Sequence, residues 1–225
     1  MRIVGEDLGV RLGGRVVFTG LSFDWRAPGI VAVTGPNGAG KTTLLKVLAA
    51  LLRPGRGELR WEEGGRPIEP RAVRLRAGFA GPEIGLYEDL SGLENLAFFA
   101  RARGLPWSDA EGRRELARLG LEGRGDERVG AYSSGMKQRV KLAFALQGRP
   151  RLVLLDEPGS NLDAEGRATT AALVREAAGE ALVVVATNEA SEAAWTATRL
   201  DLAATAARAE GARIAEAVAL AGGTR

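Results

Sequence analysis

The sequence contains neither cysteine nor histidine. Without thiols, no disulfide and no thiolate metal site can form. Without imidazole as well, zinc loses its usual ligands, and no histidine can serve as a general base. Aromatic residues make up only 5% of the chain. Charge of one sign does not dominate either, because 31 basic and 28 acidic side chains leave a formal net charge of +3. Arginines are scattered among acids, as in RRELARLGLEGRGDER. That is a solvated mixed surface rather than a basic stripe, and no nucleic-acid partner is expected. Long apolar runs are also missing. GIVAVTG and LVLLDEP fall far short of the ~20 apolar residues that cross a bilayer. MRIVGEDLGV lacks the layout of a signal peptide. The expectation is a cytoplasmic chain that would reach a membrane only through a partner.

What is present fits a globular domain: 225 residues, 45% hydrophobic and 26% charged. LGVRL and RVVFTGLSFDW flank Gly13-Gly14, and GELRW and RPIEP flank Gly64-Gly65. Both arrangements predict antiparallel hairpins. Short apolar runs at Ile30–Val33, Leu152–Leu155 and Leu182–Ala186 predict buried parallel strands covered on both faces. KTTLLKVLAALL, ATTAALVREAA and the alanine-rich C-terminus predict helices. Strand, loop, helix, strand is the order of an open α/β sheet. Between its halves, Ser91 with Glu94 and Ser108 with Glu111 mark helix starts. Residues 88–140 therefore read as a helical insertion, with 1–87 and 141–225 forming the sheet core.

TGPNGAGKTT contains G-x-x-x-x-G-K-[ST] from Gly35 to Thr42. A strand before it and a helix after it supply the context of a phosphate loop. Gly35, Pro36, Asn37, Gly38, Ala39 and Gly40 would turn backbone N–H groups toward phosphate oxygens, and the helix N-terminus at Lys41, Thr42 and Thr43 adds its positive dipole. Lys41 can reach the β and γ phosphates, and the Thr42 hydroxyl can bind Mg²⁺. RLVLLDEP ends an apolar run in Asp156 and Glu157. The first is placed to hold Mg²⁺, and the second to polarise an attacking water. In AYSSGMKQRVKLAFAL, a serine turn opens a basic helix, which makes a second anion site. One phosphate cradle already exists, so the second calls for another nucleotide or another copy of the chain. A head-to-tail dimer satisfies it.

From about residue 3 to 190 the chain resembles an ATP-binding cassette (ABC) ATPase. GPNGAGKTT resembles that family's Walker A motif, YSSGM its signature, LVLLDEP its Walker B motif and SNLD its D-loop. The resemblance implies an α/β P-loop NTPase fold, with a mixed-sheet core, an antiparallel β subdomain and a helical insertion. It implies ATP and Mg²⁺ as cofactors, with Lys41 and Thr42 on phosphate and metal, Asp156 as Mg²⁺ ligand and Glu157 as general base. It implies that Ser133 and Gly135 contact ATP held by a second copy, and that Asp163 couples the two sites. The implied partner is a separate transmembrane transporter subunit, which would hold the chain on the inner face of the cell membrane. RVVFTGLSF, LLRPGRGELRW and LSGLENLAFFA look most like the haem-exporter, CcmA-like group of cytochrome c maturation.

Three positions depart from the family pattern. Pro82 aligns where a glutamine is usual, and proline offers no side-chain donor. Asn188 aligns where a histidine is usual; it can donate to a γ-phosphate but carries no charge. Leu12 stands where an aromatic residue often stacks on adenine, while Phe18 reads as core. The membrane partner is expected to dock around Pro82 to Leu96, and Phe98 and Phe99 read as filling the insertion. Two rival functions remain open: a non-catalytic, nucleotide-gated regulatory cassette, suggested by Pro82 and Asn188, and a soluble non-transport ABC ATPase.

Overall fold

The computed structural model describes residues 1–204. Its strands form two sheets. In the four-stranded antiparallel sheet the order is β2-β1-β4-β5, from β1 (Arg2–Leu12), β2 (Arg15–Arg26), β4 (Arg56–Glu63) and β5 (Arg66–Pro67). In the five-stranded parallel sheet the order is β6-β7-β8-β3-β9, from β3 (Gly29–Thr34), β6 (Gly78–Ala80), β7 (Leu152–Asp156), β8 (Leu182–Thr187) and β9 (Arg199–Asp201). The β1–β2 turn is closed by Gly13 and Gly14 at φ 53° and 80°, a left-handed pair that side chains resist.

The central parallel strands β7 and β8 are buried on both faces, so their side chains divide by parity between two cores. Leu152 and Leu154 of β7, with Leu182 and Val184 of β8, join a cluster that includes Trp25, Leu44, Leu45 and Trp61. Val153 and Leu155, with Val183 and Val185, face a second cluster containing Leu93, Leu96, Leu116, Val140 and Leu173. The expected apolar strands thus form one partition with helices on either side.

On the first side lies α1 (Lys41–Leu48), with Leu44, Leu45, Val47 and Leu48 fully buried. Eight residues are too few for a helix to persist on propensity alone. Burial worth about 1.5–3 kcal/mol per large apolar side chain holds it instead. The Trp61 indole N–H donates to the Leu48 carbonyl at 2.9 Å, tying the helix end to the antiparallel sheet. The helix stops at Leu48, before the expected AALL continuation. Ala50 turns left-handed at φ 56°, and the N–H of Leu51 folds back to the Lys46 carbonyl at 2.9 Å.

RPIEP does not extend as a strand. Only Arg66–Pro67 pairs with β4, and α2 (Pro70–Arg76) starts at Pro70, where the missing N–H costs nothing. On the second side lie α3 (Gly92–Ala102), α4 (Asp109–Arg118) and α5 (Ser134–Leu146), with a 3₁₀ turn at Val129–Ala131. α3 opens with a full capping box between Ser91 and Glu94. Ser108 caps α4 by accepting from Glu111 N. α5 lies across β6 with the two backbones in contact, since a Cβ on Gly78 would fall 1.8 Å from the Ala145 carbonyl oxygen. α6 (Ala164–Ala178) and the short α7 (Ala190–Ala193) follow. Residues 202–204 are helical at the end of the described residues, and the rest of the expected C-terminal helix lies outside them. None of the described helices is long and apolar enough to cross a membrane.

Candidate nucleotide-binding site

The loop from Gly35 to Gly40 joins the C-terminal end of β3 to α1. Gly35, Gly38 and Gly40 have φ of 145°, 82° and 97°, the conformations that let a backbone wrap a ligand closely. Gly40 is required twice over, because a Cβ there would sit 2.6 Å from Val17 Cγ1. Lys41 is buried, and its ammonium folds back on the loop, donating to the Gly35 carbonyl at 2.8 Å and the Pro36 carbonyl at 3.3 Å. The loop is therefore already curled around the cation that would meet a phosphate.

The Thr42 hydroxyl donates to Asp156 Oδ2 at 2.5 Å, across 114 residues of sequence. Asp156 ends β7 and is 3% exposed. Burial pushes its carboxyl above the usual range, Thr42 and Lys41 pull it down, and Glu157 and Glu83 push it up. A buried carboxylate beside a hydroxyl, with its charge only partly compensated, is a set of hard oxygen donors that fits Mg²⁺.

Glu157 follows in a left-handed conformation at φ 50°, uncommon for a residue with a side chain. Two contacts hold it there. Its N–H donates to the Ala186 carbonyl at 2.8 Å, and its own carbonyl accepts from Gln138 Nε2 at 3.2 Å. β8 delivers Asn188 to the same edge, because Thr187 pairs with Thr34, one residue before the loop. The Asn188 amide donates to Asn37 Oδ1 at 3.3 Å. Lys41, Thr42, Asp156, Glu157 and Asn188 therefore meet at the C-terminal edge of the parallel sheet, where open α/β folds bind ligands.

Ser133, Gly135 and Asp163 form a separate group. Ser133 is exposed and caps α5, accepting from Met136 N at 3.2 Å. Gly135 lies against Asn161, whose carbonyl would be 2.8 Å from an added Cβ. Asp163 caps α6 by accepting from Gly166 N at 2.8 Å, and Arg139 reaches the same oxygen at 3.2 Å. The signature turn and the 159–163 turn thus share one surface of the chain.

Pro82 is exposed, and its loop is tied on both sides. Lys46 of α1 pairs with Glu83 at 2.6 Å, and Lys137 of α5 pairs with Glu88 at 2.6 Å. Phe18 is buried in the core, as expected, and Leu12 is exposed. Phe98 does not fill the insertion. It is 41% exposed and meets the exposed Tyr87 edge to face at 4.7 Å, while Phe99 turns inward against Phe144. Sequence reasoning also passed over Gln138 and Glu192. Gln138 stands in the KQR run after the signature. Glu192 follows Glu189 in NEASEAA, where nothing in the residue pattern marks it as functional.

A family model described as ABC transporter matches residues 18–160. The chain is 39% identical over 188 residues to a daunorubicin resistance ATP-binding protein of Streptomyces coeruleorubidus, covering 82% of this chain but 59% of that protein. It is 35% identical over 189 residues to the cytochrome c biogenesis ATP-binding export protein CcmA of Mesorhizobium japonicum, covering 84% of this chain and 92% of that one. Among solved structures, an ATP-binding protein described as a putative ABC transporter from Pyrococcus furiosus superposes with a TM-score of 0.80 at 24% identity, over 92% of this chain and 100% of that one. A dimeric ATP-binding cassette in a post-hydrolysis state with ADP and Pi superposes at 0.75 and 22% identity, over 88% and 93% of the two chains.

Proposed function

The chain belongs to the ABC transporter family and has the fold of its ATPase cassette, and from that premise we propose that it binds and hydrolyses ATP to power a separate membrane subunit of exporter type. The observation that carries this reading is the meeting of Lys41, Thr42, Asp156 and Glu157 at one sheet edge, with Thr42 already bonded to Asp156. The curled loop and Lys41 bind the phosphates. Thr42 and Asp156 would hold Mg²⁺, which would supply neutralisation of phosphate charge. Glu157, held by its backbone, takes a proton from the attacking water, and the Asn188 amide donates to the γ-phosphate.

Ser133 and Gly135 contact the nucleotide held by a second, head-to-tail copy, and Asp163 lies at the same junction. That arrangement explains why one chain carries two anion-binding groups on separate surfaces. The membrane subunit docks on the segment from Pro82 to Leu96 with Tyr87 and Phe98, whose exposed rings stand beside it. Because this chain itself presents no spanning helix among its described residues, the partner places it at the inner face of the membrane. The likeness to CcmA supports a haem-exporter role in cytochrome c maturation, and the daunorubicin resistance relative supports a drug exporter.

The test is ATP turnover by the purified chain with its membrane partner, against Glu157→Gln. Removing a general base slows turnover by about 10²–10⁴-fold. A parent rate no higher than that of the variant would mean an inactive cassette. That outcome is the second reading, a nucleotide-gated regulatory subunit, and the observations favouring it are Pro82 and Asn188.

A further inference from the structure

The turn from Pro158 to Asp163 is held from three helices. Gln138 of α5 donates to the Pro158 carbonyl at 3.3 Å, and Arg139 reaches Asp163. Arg167 of α6 donates to the Leu162 carbonyl. The third hold comes from α7. Glu192 Oε1 accepts from the Gly159 N–H at 2.7 Å. Glu192 is 3% exposed, and its Oε2 has no hydrogen-bond partner among the described residues.

Burying a carboxylate for one backbone bond is expensive, and a merely structural need would be met by a neutral side chain. Burial pushes this carboxyl above its usual range, while Thr187 and the Gly159 N–H pull it down, and Glu189 and Glu157 push it up. Its position gives the charge a use. Glu192 sits on α7, four residues after Asn188, and Gly159 opens the turn that carries Asn161 against Gly135. One carboxylate therefore ties the turn beside the signature to the helix that directly follows the Asn188 segment. Gly159 is fitted to it, since a Cβ there would sit 2.2 Å from Glu192 Oε1.

We propose that Glu192 is a positioning residue that locks the 159–163 turn to the Asn188 segment, so that nucleotide bound at one phosphate loop sets the surface offered to the second copy. It acts through the Gly159 N–H and touches neither nucleotide nor metal. The inference rests on the proposed ATPase reading for its consequence, but its first readout does not.

That readout is hydrogen exchange on the full-length chain. Glu192→Ala speeds exchange at the 157–163 segment by about tenfold, the loss of one charge-assisted hydrogen bond, while the 34–42 segment stays unchanged. Glu192→Gln keeps an acceptor for Gly159 and restores most of the protection. Gly159→Ala, which parts the two groups but leaves the carboxylate in place, reproduces the Glu192→Ala pattern and serves where that variant folds poorly. With the membrane partner, Glu192→Ala lowers kcat about tenfold or more and leaves KM for ATP within about twofold. Equal loss of protection in both segments, no rescue by glutamine, or a rise in KM matching the fall in kcat would overturn the proposal. A parent that hydrolyses no ATP but shows the exchange pattern refutes the ATPase reading and leaves the lock standing.

Discussion

Replacing Asn188 by histidine isolates the electrostatic part of the proposed γ-phosphate contact. Asn188 is exposed just beyond β8, and among the described residues its side chain bonds only Asn37, at 3.3 Å, so the substitution disturbs no packing. Stability should change by less than about 0.5 kcal/mol. A neutral amide donor contributes about 0.5–1.5 kcal/mol net, and a charged one about 1.5–3. The difference is about 1–2 kcal/mol, and exposure at this edge brings it to roughly 1 kcal/mol. If that gain is made in the transition state, kcat rises about fivefold. The sign with pH follows. Imidazole has an ordinary pKa near about 6.5, and an adjacent phosphate raises it. The cation is therefore lost as pH rises, and the advantage should be larger near about pH 6.5 than near about pH 8.5. The assay is phosphate release with the membrane partner present, after subtracting the Glu157→Gln rate. A ratio within twofold of unity across that pH range would refute the reasoning and move the limit to another step, with Pro82 the first place to look.

Asp156→Asn should raise the unfolding midpoint of the nucleotide-free protein at neutral pH while abolishing Mg²⁺-dependent nucleotide binding. The carboxyl is held above its usual range by burial, so its destabilising charge is absent at low pH and accumulates as pH rises through the raised value. Below the ordinary carboxylate range the parent and the variant should converge in calorimetry, and persistent divergence would count against a buried charge. Ser91→Ala removes the capping box of α3 and should cost about 1 kcal/mol in denaturant unfolding, without changing nucleotide affinity. Gln138→Ala frees the carbonyls of Glu157 and Pro158, so steady-state kinetics should show a lower kcat at nearly constant KM.

The parallel strands were legible because runs such as LVLL are apolar at every position, a pattern that suits a sheet covered on both faces. The phosphate loop was legible because glycine, lysine and threonine spacing is itself the geometry. Asp156 and Glu157 could be read from their place at the end of such a run, and the structure adds that Thr42 meets the first of them. The early end of α1 was not legible, since Ala50 has no sequence mark of a left-handed turn and tertiary packing decides it. RPIEP misled because its alternation suits a strand, whereas Pro70 offers a better helix start than a ladder partner. Phe98 and Phe99 are adjacent in sequence, and only the orientation of α3 decides which one faces out. Glu192 was hidden because its partner is a backbone N–H 33 residues away, which no side-chain pattern reports.

Gly78 has a mechanical consequence. With no side chain between them, β6 and the Ala145 end of α5 touch backbone to backbone, and that end has little room to slide. The other end of the same rigid rod is Ser133, about 18 Å away at 1.5 Å per residue. A tilt of about 10° around such a fulcrum swings the serine by roughly 3 Å, about one hydrogen-bond length. Very small rotations of one rod are therefore enough to make or break the bond proposed between Ser133 and a second copy's triphosphate.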